Sequence, residues 1–220
     1  MITLALDAST SRGSVAVLDD ERLLVEATAA TRGRDSELLM PAVDQALRDA
    51  GYALSAVERV VCGAGPGSFT GLRIAASLAK GLAVGRALPL FAVSSLALIV
   101  AGNVSDGPRG ARRYLAALDA LRGESYVAEF EHDAGAVRPI GELRRVPTDE
   151  VASIAEQCGA RPVGPDQRES WLPHARGVAL LKGAIEEEGP VNLAVWEPVY
   201  GRVAEAQAKW EAAHGRALPR

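Results

Sequence analysis

A glycine-rich turn between a short apolar run and a helix constrains the fold of this chain more than any other feature. Residues 59–62 read Arg-Val-Val-Cys, and residues 63–73 read Gly-Ala-Gly-Pro-Gly-Ser-Phe-Thr-Gly-Leu-Arg. Glycine allows positive φ and lets the backbone approach another surface closely. Ser68 or Thr70 can cap the helix by accepting hydrogen bonds from its first turn. The pattern therefore predicts a buried strand, a tight turn and a helix start, which is in principle an anion site.

The familiar phosphate-binding motifs do not fit this turn. A Walker loop needs Gly-Lys followed by Ser or Thr, and the chain has none. The dinucleotide fingerprint needs its third glycine three residues after the second, whereas Gly71 follows Gly67 by four. No Asp or Glu occurs between Arg59 and Ser105 that could bind a ribose. The turn therefore predicts none of the standard nucleotide sites.

The helix that follows is apolar nearly all round. Between Leu72 and Val84 its only charged residues are Arg73 and Lys80. Two ridges of mostly small residues run along it at i, i+4 spacing: Gly71, Ala75, Ala79 and Ala83 form one, and Arg73, Ser77, Gly81 and Gly85 form the other. Such a helix is buried on more than one side. It is either a central core helix or a helix with one side on the domain's sheet and another on a partner chain.

Composition narrows the class of protein. The chain has 220 residues, is 48% hydrophobic and carries a net charge of −4 with a pI near 5.5. This negative net charge argues against strong binding of nucleic acid by this chain alone, because affinity for nucleic acid comes from clustered Lys and Arg. Cys62 and Cys158 are far apart, which indicates a reduced, cytoplasmic protein. No apolar run reaches transmembrane length, and Met1 leads straight into a strand, so we expect no membrane association.

Hydrophobic periodicity predicts an α/β fold. The first half reads as a three-stranded meander, a helix with Leu39, Val43 and Ala46 on its apolar stripe, the glycine-turn unit, a strand over 90–93 and a short helix over 95–101. The second half reads as strands over 125–131 and 161–163, with helices over 148–157 and 175–187. Residues 102–110 are rich in Gly, Pro, Asn and Ser. We therefore expect an N-terminal α/β subdomain over 1–105 and a shorter C-terminal one, with a charged tail, over 106–220.

The opening of the chain recurs at the start of the second half. Ala5-Leu6-Asp7-Ala8 is echoed by Ala117-Leu118-Asp119-Ala120, and an Arg-Gly pair follows each copy. Short similarities arise by chance, but this one begins both halves, and so it indicates a duplicated unit.

The polar residues at these strand ends have two interpretations. Asp7 with Ser9 and Thr10 could be the remnant of one phosphate loop, and Asp119 the remnant of a second. The alternative is that both carboxylates cap turns. No Gly-Gly pair that could lie beside an adenosine occurs anywhere in the chain. The three histidines are scattered through the second half, so no metal site is expected.

Residues 65–74, Gly-Pro-Gly-Ser-Phe-Thr-Gly-Leu-Arg-Ile, resemble the signature of the bacterial TsaB (YeaZ) family. The signature loop comprises Gly65, Pro66, Gly67, Ser68, Phe69, Thr70 and Gly71. Residues 5–10, 118–126 and 197–200 agree with the family as well, so the resemblance runs almost the whole chain. It implies a duplicated fold of the actin-like, sugar-kinase and Hsp70-like ATPase class, with a degenerate second half. Many relatives have His-Ser at the start of the first helix, where this chain has Asp35-Ser36.

The resemblance also implies a function. A TsaB-like chain is a non-catalytic scaffold that binds and activates TsaD, the transferase subunit of the tRNA threonylcarbamoyladenosine-modifying complex, and a small ATPase, TsaE, joins them. We accordingly expect no cofactor or metal on this chain alone, ATP use by the complex, tRNA contact only through the complex, and a homodimer in isolation. The expected partner interface comprises Leu39, Val43, Ala46, Arg73, Ala75, Ser77, Leu78, Ala79, Gly81 and Leu82. The alternative function is an active nucleotide-dependent kinase or ATPase.

Overall fold

The computed structural model describes residues 1–30, 38–104 and 112–201, which form two β-sheets and the helices packed on them. The first sheet has the strand order β3-β2-β1-β4-β5. Its strands are β1 (Ile2–Asp7), β2 (Arg12–Asp19), β3 (Arg22–Ala30), β4 (Arg59–Gly63) and β5 (Leu90–Val93). The helices of this half are α1 (Leu39–Asp49), α2 (Phe69–Arg86) and α3 (Ser95–Ala101), with a 3₁₀ turn at Leu54–Ala56.

The second sheet has the order β11-β10-β6-β7-β8, and β9 also pairs with β7. Its strands are β6 (Arg112–Asp119), β7 (Glu124–Asp133), β8 (Ala136–Pro139), β9 (Arg144–Pro147), β10 (Arg161–Gly164) and β11 (Glu169–Ser170). The helices here are α4 (Val151–Gln157) and α5 (Lys182–Glu188), with 3₁₀ turns at Thr148–Glu150 and Ala175–Leu181.

The two sheets are built on one plan. In each, the first strand pairs antiparallel with the second and parallel with a later strand, and the second and third strands are antiparallel. The register ends alike, because Asp7 lies opposite Ser14 and Asp119 lies opposite Ser125. The predicted duplication of an α/β unit is therefore confirmed. The second copy is shorter, since only residues 165–168 connect β10 to β11 where α2 connects β4 to β5.

The core has three parts. Helices α1 and α2 lie side by side on one face of the first sheet, α1 over β2 and β3 and α2 over β4 and β1. The opposite face packs on α3 and on Ala175–Leu181, which also contact the second sheet. Helix α4 covers the far face of that second sheet. The two copies thus share the central layer between their sheets.

Most predicted elements are present with small shifts in their ends, and the differences are local. Strands β8, β9 and β11 were not predicted from the sequence. Thr148 does not cap the helix that follows it, because its hydroxyl lies 2.9 Å from that of Ser125 and α4 has no side-chain cap. The Asp35-Ser36 pair at the expected start of the first helix, most of the residues over 102–110 and the charged tail lie outside the described residues. Within the described part of the chain, no helix is both long and apolar enough to cross a membrane.

Candidate functional site

A buried carboxylate lies at the end of β1. Asp7 is fully buried and its Oδ1 accepts hydrogen bonds from the backbone N–H of Ser9 at 2.9 Å and from the Ser9 hydroxyl at 2.7 Å. Its Oδ2 accepts from the Ser95 hydroxyl at 2.5 Å. Ser95 Oγ in turn accepts from the backbone N–H of Gly65 at 3.1 Å. Asp7 is therefore held by its own turn, by α3 and, through Ser95, by the signature loop.

The signature loop lies directly on this turn. The N–H of Ser68 donates to the carbonyl of Ser9 at 2.7 Å. A Cβ at Gly67 would lie 2.4 Å from that same carbonyl oxygen, and a Cβ at Gly71 would lie 1.9 Å from the carbonyl oxygen of Ala8. Both contacts are shorter than any real Cβ contact. These glycines are required because the protein's own backbone fills the space beside them.

Residues 189–201, here called the closing strap, cover the loop from the other side. The N–H of Val199 donates to the carbonyl of Ala64 at 2.7 Å, and a Cβ at Gly65 would lie 2.6 Å from the carbonyl oxygen of Val199. The ring of Tyr200 lies 4.8 Å from the ring of Phe69, centroid to centroid. The signature loop is thus enclosed between the turn of Ala8 and Ser9, which follows β1 and is here called the β1 turn, and the closing strap.

Burial is the largest influence on the pKa values of Asp7 and of the neighbouring Cys62. It raises the pKa of Asp7, and the hydrogen bonds from Ser95 and Ser9 offset that rise only in part. Burial, with a smaller contribution from the nearby Asp7, also raises the pKa of the Cys62 thiol. Cys62 is thus the small buried residue that the sequence predicted, and its thiol is not activated as a nucleophile. Because Asp7 is enclosed on all sides, its carboxylate has no lone pair that is open to solvent and could bind a ligand.

The other residues assigned to phosphate loops are turn residues. Asp119 is exposed and accepts from the N–H of Leu121 at 2.7 Å, which is a turn-capping contact. The hydroxyl of Thr10 donates to the carbonyl of Arg12 at 2.9 Å. The sequence missed Ser95, the partner of Asp7, because nothing local distinguishes it from any other serine near a helix start.

The signature loop opens α2 as predicted. Ser68 is its N-cap, with its hydroxyl accepting from the N–H of Gly71 at 3.4 Å. Of the two proposed caps, Ser68 is therefore correct, and Thr70 lies inside the helix and is exposed.

The structure separates the two ridges of α2. Ala75 and Ala79 are completely buried against the first sheet. Arg73, Ser77 and Gly81 are exposed, and a Cβ at Gly81 would meet nothing within 4 Å. The outward ridge, defined as Arg73, Ser77, Gly81 and Gly85, therefore faces away from the chain's own core.

This orientation corrects part of the predicted partner interface. Six of its residues are buried in the core formed by α1, α2 and the first sheet, and they cannot offer side chains to a partner: Leu39, Val43, Ala46, Ala75, Ala79 and Leu82. They were assigned from helical spacing, which does not say which stripe faces the sheet. Arg73, Ser77 and Gly81 remain exposed, and Leu78 is half-buried.

Large apolar side chains are exposed near both ends of α2 and on α1. Val84 is 68% exposed, and Phe69 at the start of α2 is also exposed. On the neighbouring helix α1, Met40 is exposed as well. The outer surface of these two helices therefore exposes single apolar side chains together with the small residues of the outward ridge.

A second polar cluster joins the two halves. Glu26 on β3 accepts from the Ser14 hydroxyl at 3.0 Å and from Arg176 Nη1 at 2.9 Å, and its Oε1 lies 2.9 Å from His174 Nδ1. Burial acts to raise the pKa of Glu26, but His174, Arg176 and Ser14 together hold it below the ordinary value. This contact was not predicted from the sequence. Across residues 1–30, 38–104 and 112–201, no three His, Cys, Asp or Glu side chains gather in a way that could hold a metal ion.

Comparison with known proteins identifies the family. A TsaB from Bacillus subtilis, a tRNA threonylcarbamoyladenosine biosynthesis protein, is 33% identical over 96% of this chain and 98% of its own length. The chain belongs to the TsaB family. Residues 30–173 also match the family model described as TsaD, tRNA N6-adenosine threonylcarbamoyltransferase.

Other TsaB relatives agree with this assignment. The TsaB of Escherichia coli is 36% identical over 137 residues, which is 62% of this chain and 58% of the relative. The chain thus matches little more than half the length of that relative. The structure of YeaZ from Pseudomonas aeruginosa has a TM-score of 0.74 and 33% identity, covering 90% of this chain and 99% of that one.

Proposed function

We propose that the chain is a non-catalytic scaffold subunit of the machinery that makes tRNA threonylcarbamoyladenosine, and that it binds and activates a TsaD transferase through the outward ridge of α2 and the exposed side of α1. The observation that carries the proposal is the outward ridge itself. An 18-residue helix has a line of small residues facing outward and apolar side chains beside it. Small residues let a second helix approach closely.

The geometry of such an assembly follows from the pair of helices. Two helices on one sheet face can pack against two from another chain and close a four-helix bundle. A stable interface of this kind buries on the order of 1,600 Å² in total. The same face would serve a homodimer of this chain, so the transferase and a second copy compete by mass action.

The enclosed Asp7 supports the non-catalytic half of the proposal. Nucleotide-dependent enzymes need a carboxylate that reaches a metal-bound phosphate, whereas the signature loop and the β1 turn close over Asp7. The proposal further holds that ATP is used by the complex, that a TsaE-type ATPase is a partner, that tRNA is contacted only through the complex, and that the complex works in the cytoplasm.

The proposed interface on the outward ridge is tested by Ser77→Leu and Gly81→Leu. Each places a bulky side chain on the outward ridge. Matched controls are Ser153→Leu in α4 and Gly183→Leu in α5, since both positions are exposed and helical. Pull-down of the cognate transferase and analytical ultracentrifugation should show that only the ridge variants lose the heterodimer and the homodimer, with circular dichroism unchanged. If folded ridge variants capture the transferase as well as the wild type does, the interface lies elsewhere.

The non-catalytic role is tested on the purified chain alone. Calorimetry should detect no ATP binding, and the chain should neither hydrolyse ATP nor modify tRNA until the transferase and the ATPase are added. Robust turnover by the isolated chain that Asp7→Ala abolishes would establish a nucleotide-dependent enzyme instead.

A further inference from the structure

The exposed side of α2 carries positive charge and no negative charge. Residues 60–104 contain no Asp or Glu, and the charged residues of α2 are Arg73, Lys80 and Arg86. Two of these have companions within the chain. The ammonium of Lys80 lies 5.6 Å from the centre of the Trp196 ring, and Arg86 donates to the carbonyl of Ser55 at 3.0 Å.

Arg73 is placed differently. Its side chain is exposed on the outward ridge, and its Cζ lies 5.0 Å from the centre of the Phe69 ring. Among the described residues no acidic side chain forms an ion pair with it. A guanidinium packed against an aromatic ring keeps N–H groups at its edge available for an acceptor.

The rest of the chain holds this guanidinium in place. Phe69 contacts Tyr200 at 4.8 Å between ring centroids, and Tyr200 follows Val199, whose N–H is bonded to Ala64. Arg73, Phe69 and Tyr200 therefore form a row of contacts that the closing strap supports. A side chain that is already ordered loses less conformational entropy when it binds.

We propose that Arg73 is the charged anchor of the outward ridge and that it binds a carboxylate side chain of the transferase; this proposal rests on the proposed function. A planar guanidinium can donate two parallel hydrogen bonds to one carboxylate, which fixes orientation as well as energy. The absence of acidic residues along α2 leaves this charge uncompensated by its own helix. The small residues that follow Arg73 on the ridge let a partner helix exclude water from the ion pair, which strengthens it.

The test is the affinity of the full-length chain for its purified cognate TsaD transferase, measured by calorimetry at two salt concentrations. Arg73→Gln removes the charge and keeps most of the bulk, whereas Arg73→Lys keeps the charge and removes the planar fork. Arg86→Gln is the matched control, since it makes the same change at the other end of the same helix. Circular dichroism and thermal unfolding confirm that each variant is folded.

We expect Arg73→Gln to weaken binding by roughly tenfold or more, the loss typical of a hydrogen bond to a charged partner. Arg73→Lys should restore only part of that loss, and Arg86→Gln should change the affinity by less than about twofold, as for an exposed charge away from the contact. Raising the salt should weaken the wild type more than Arg73→Gln. If the wild type binds and Arg73→Gln binds equally well, this inference is wrong and the proposed function stands. If the wild type does not bind the transferase at all, the proposed function fails and this inference fails with it.

Discussion

The hydroxyl of Ser95 donates a 2.5 Å hydrogen bond to Asp7, across 88 residues of sequence. This contact joins the end of β1 to the start of α3, and the same hydroxyl accepts from Gly65 in the signature loop. Ser95 therefore connects three segments that are distant in sequence. The carboxylate of Asp7 lies between them, and burial makes it costly to ionise.

Ser95→Ala should lower the free energy of unfolding at pH 7 by about 1–3 kcal/mol, the usual loss when a buried polar group is left without a hydrogen-bond partner. Ser153→Ala, at an exposed site in α4, should change it by less than about 0.5 kcal/mol. This loss of stability should become smaller as the pH falls toward 3.8, the ordinary pKa of Asp. The Ser95 hydroxyl favours the ionised carboxylate, and the raised pKa of Asp7 lets that carboxylate take up a proton above pH 3.8. Urea denaturation at several pH values measures both effects, and a loss that grows toward acid pH would contradict them.

Glu26 also contributes stability that depends on pH. Its pKa in the folded chain lies below the ordinary value of 4.5, so the stability that it contributes is present above that pH and is lost as the pH falls through its folded pKa. Glu26→Gln should therefore cost about 1–3 kcal/mol at pH 7, and the gap between wild type and variant should close below pH 4.5.

The control for Glu26 is Glu21→Gln, which removes an exposed ion pair with Lys182. Such a pair contributes less than about 1 kcal/mol, so this variant should stay close to the wild type at every pH. Equal effects of the two substitutions would show that the contact between the halves adds nothing beyond surface charge.

Substitution by alanine should change the stability of the chain in opposite directions at two glycines of α2. At Gly71 a Cβ would lie 1.9 Å from the carbonyl oxygen of Ala8, so Gly71→Ala should destabilise the chain by about 3 kcal/mol or more, through overpacking against backbone. At Gly81 a Cβ would meet nothing within 4 Å. Gly81→Ala should stabilise the chain by about 0.5–1 kcal/mol, because alanine loses less backbone entropy in a helix. Thermal unfolding of the two variants distinguishes them, and loss of stability at both positions would contradict the assigned orientation of α2.

The contact between Phe69 and Tyr200 should be measurable as a coupling energy. In a double-mutant cycle with Phe69→Leu and Tyr200→Leu, we expect about 0.5–1.5 kcal/mol of coupling, as for other aromatic pairs. Phe91, which lies on β5 and does not pair with Tyr200, supplies the control cycle, and its coupling should be near zero. A zero value in both cycles would mean that the closing strap does not order the start of α2.

The strands with strong apolar patterns and the longer helices were predictable because their pattern is local. Ile2 to Leu6 and Ser95 to Ala101 are dense in apolar side chains, and the structure places an element at each. The strands β8, β9 and β11 have four, four and two residues, too few to establish a period of two, and Pro139 and Pro147 obscure the pattern further.

The site was less predictable, because it depends on contacts between distant residues. The glycines of the signature loop indicate a close approach, but nothing in their spacing says that the opposing surface is the turn of Ala8 and Ser9. The orientation of α2 could have been inferred, since Arg73 belongs to the ridge that contains Ser77 and Gly81, and a charged side chain is rarely buried without a partner.

The closing strap also bears on synthesis. A ribosome completes the signature loop and all of α2 long before it reaches Val199 and Tyr200, which hold that loop and the first residue of the helix from outside. A nascent chain that stops short of these two residues would carry the ridge of α2 with an unsupported start. Ordering of the first turn of α2 is thereby linked to residues that are synthesised much later than the helix itself.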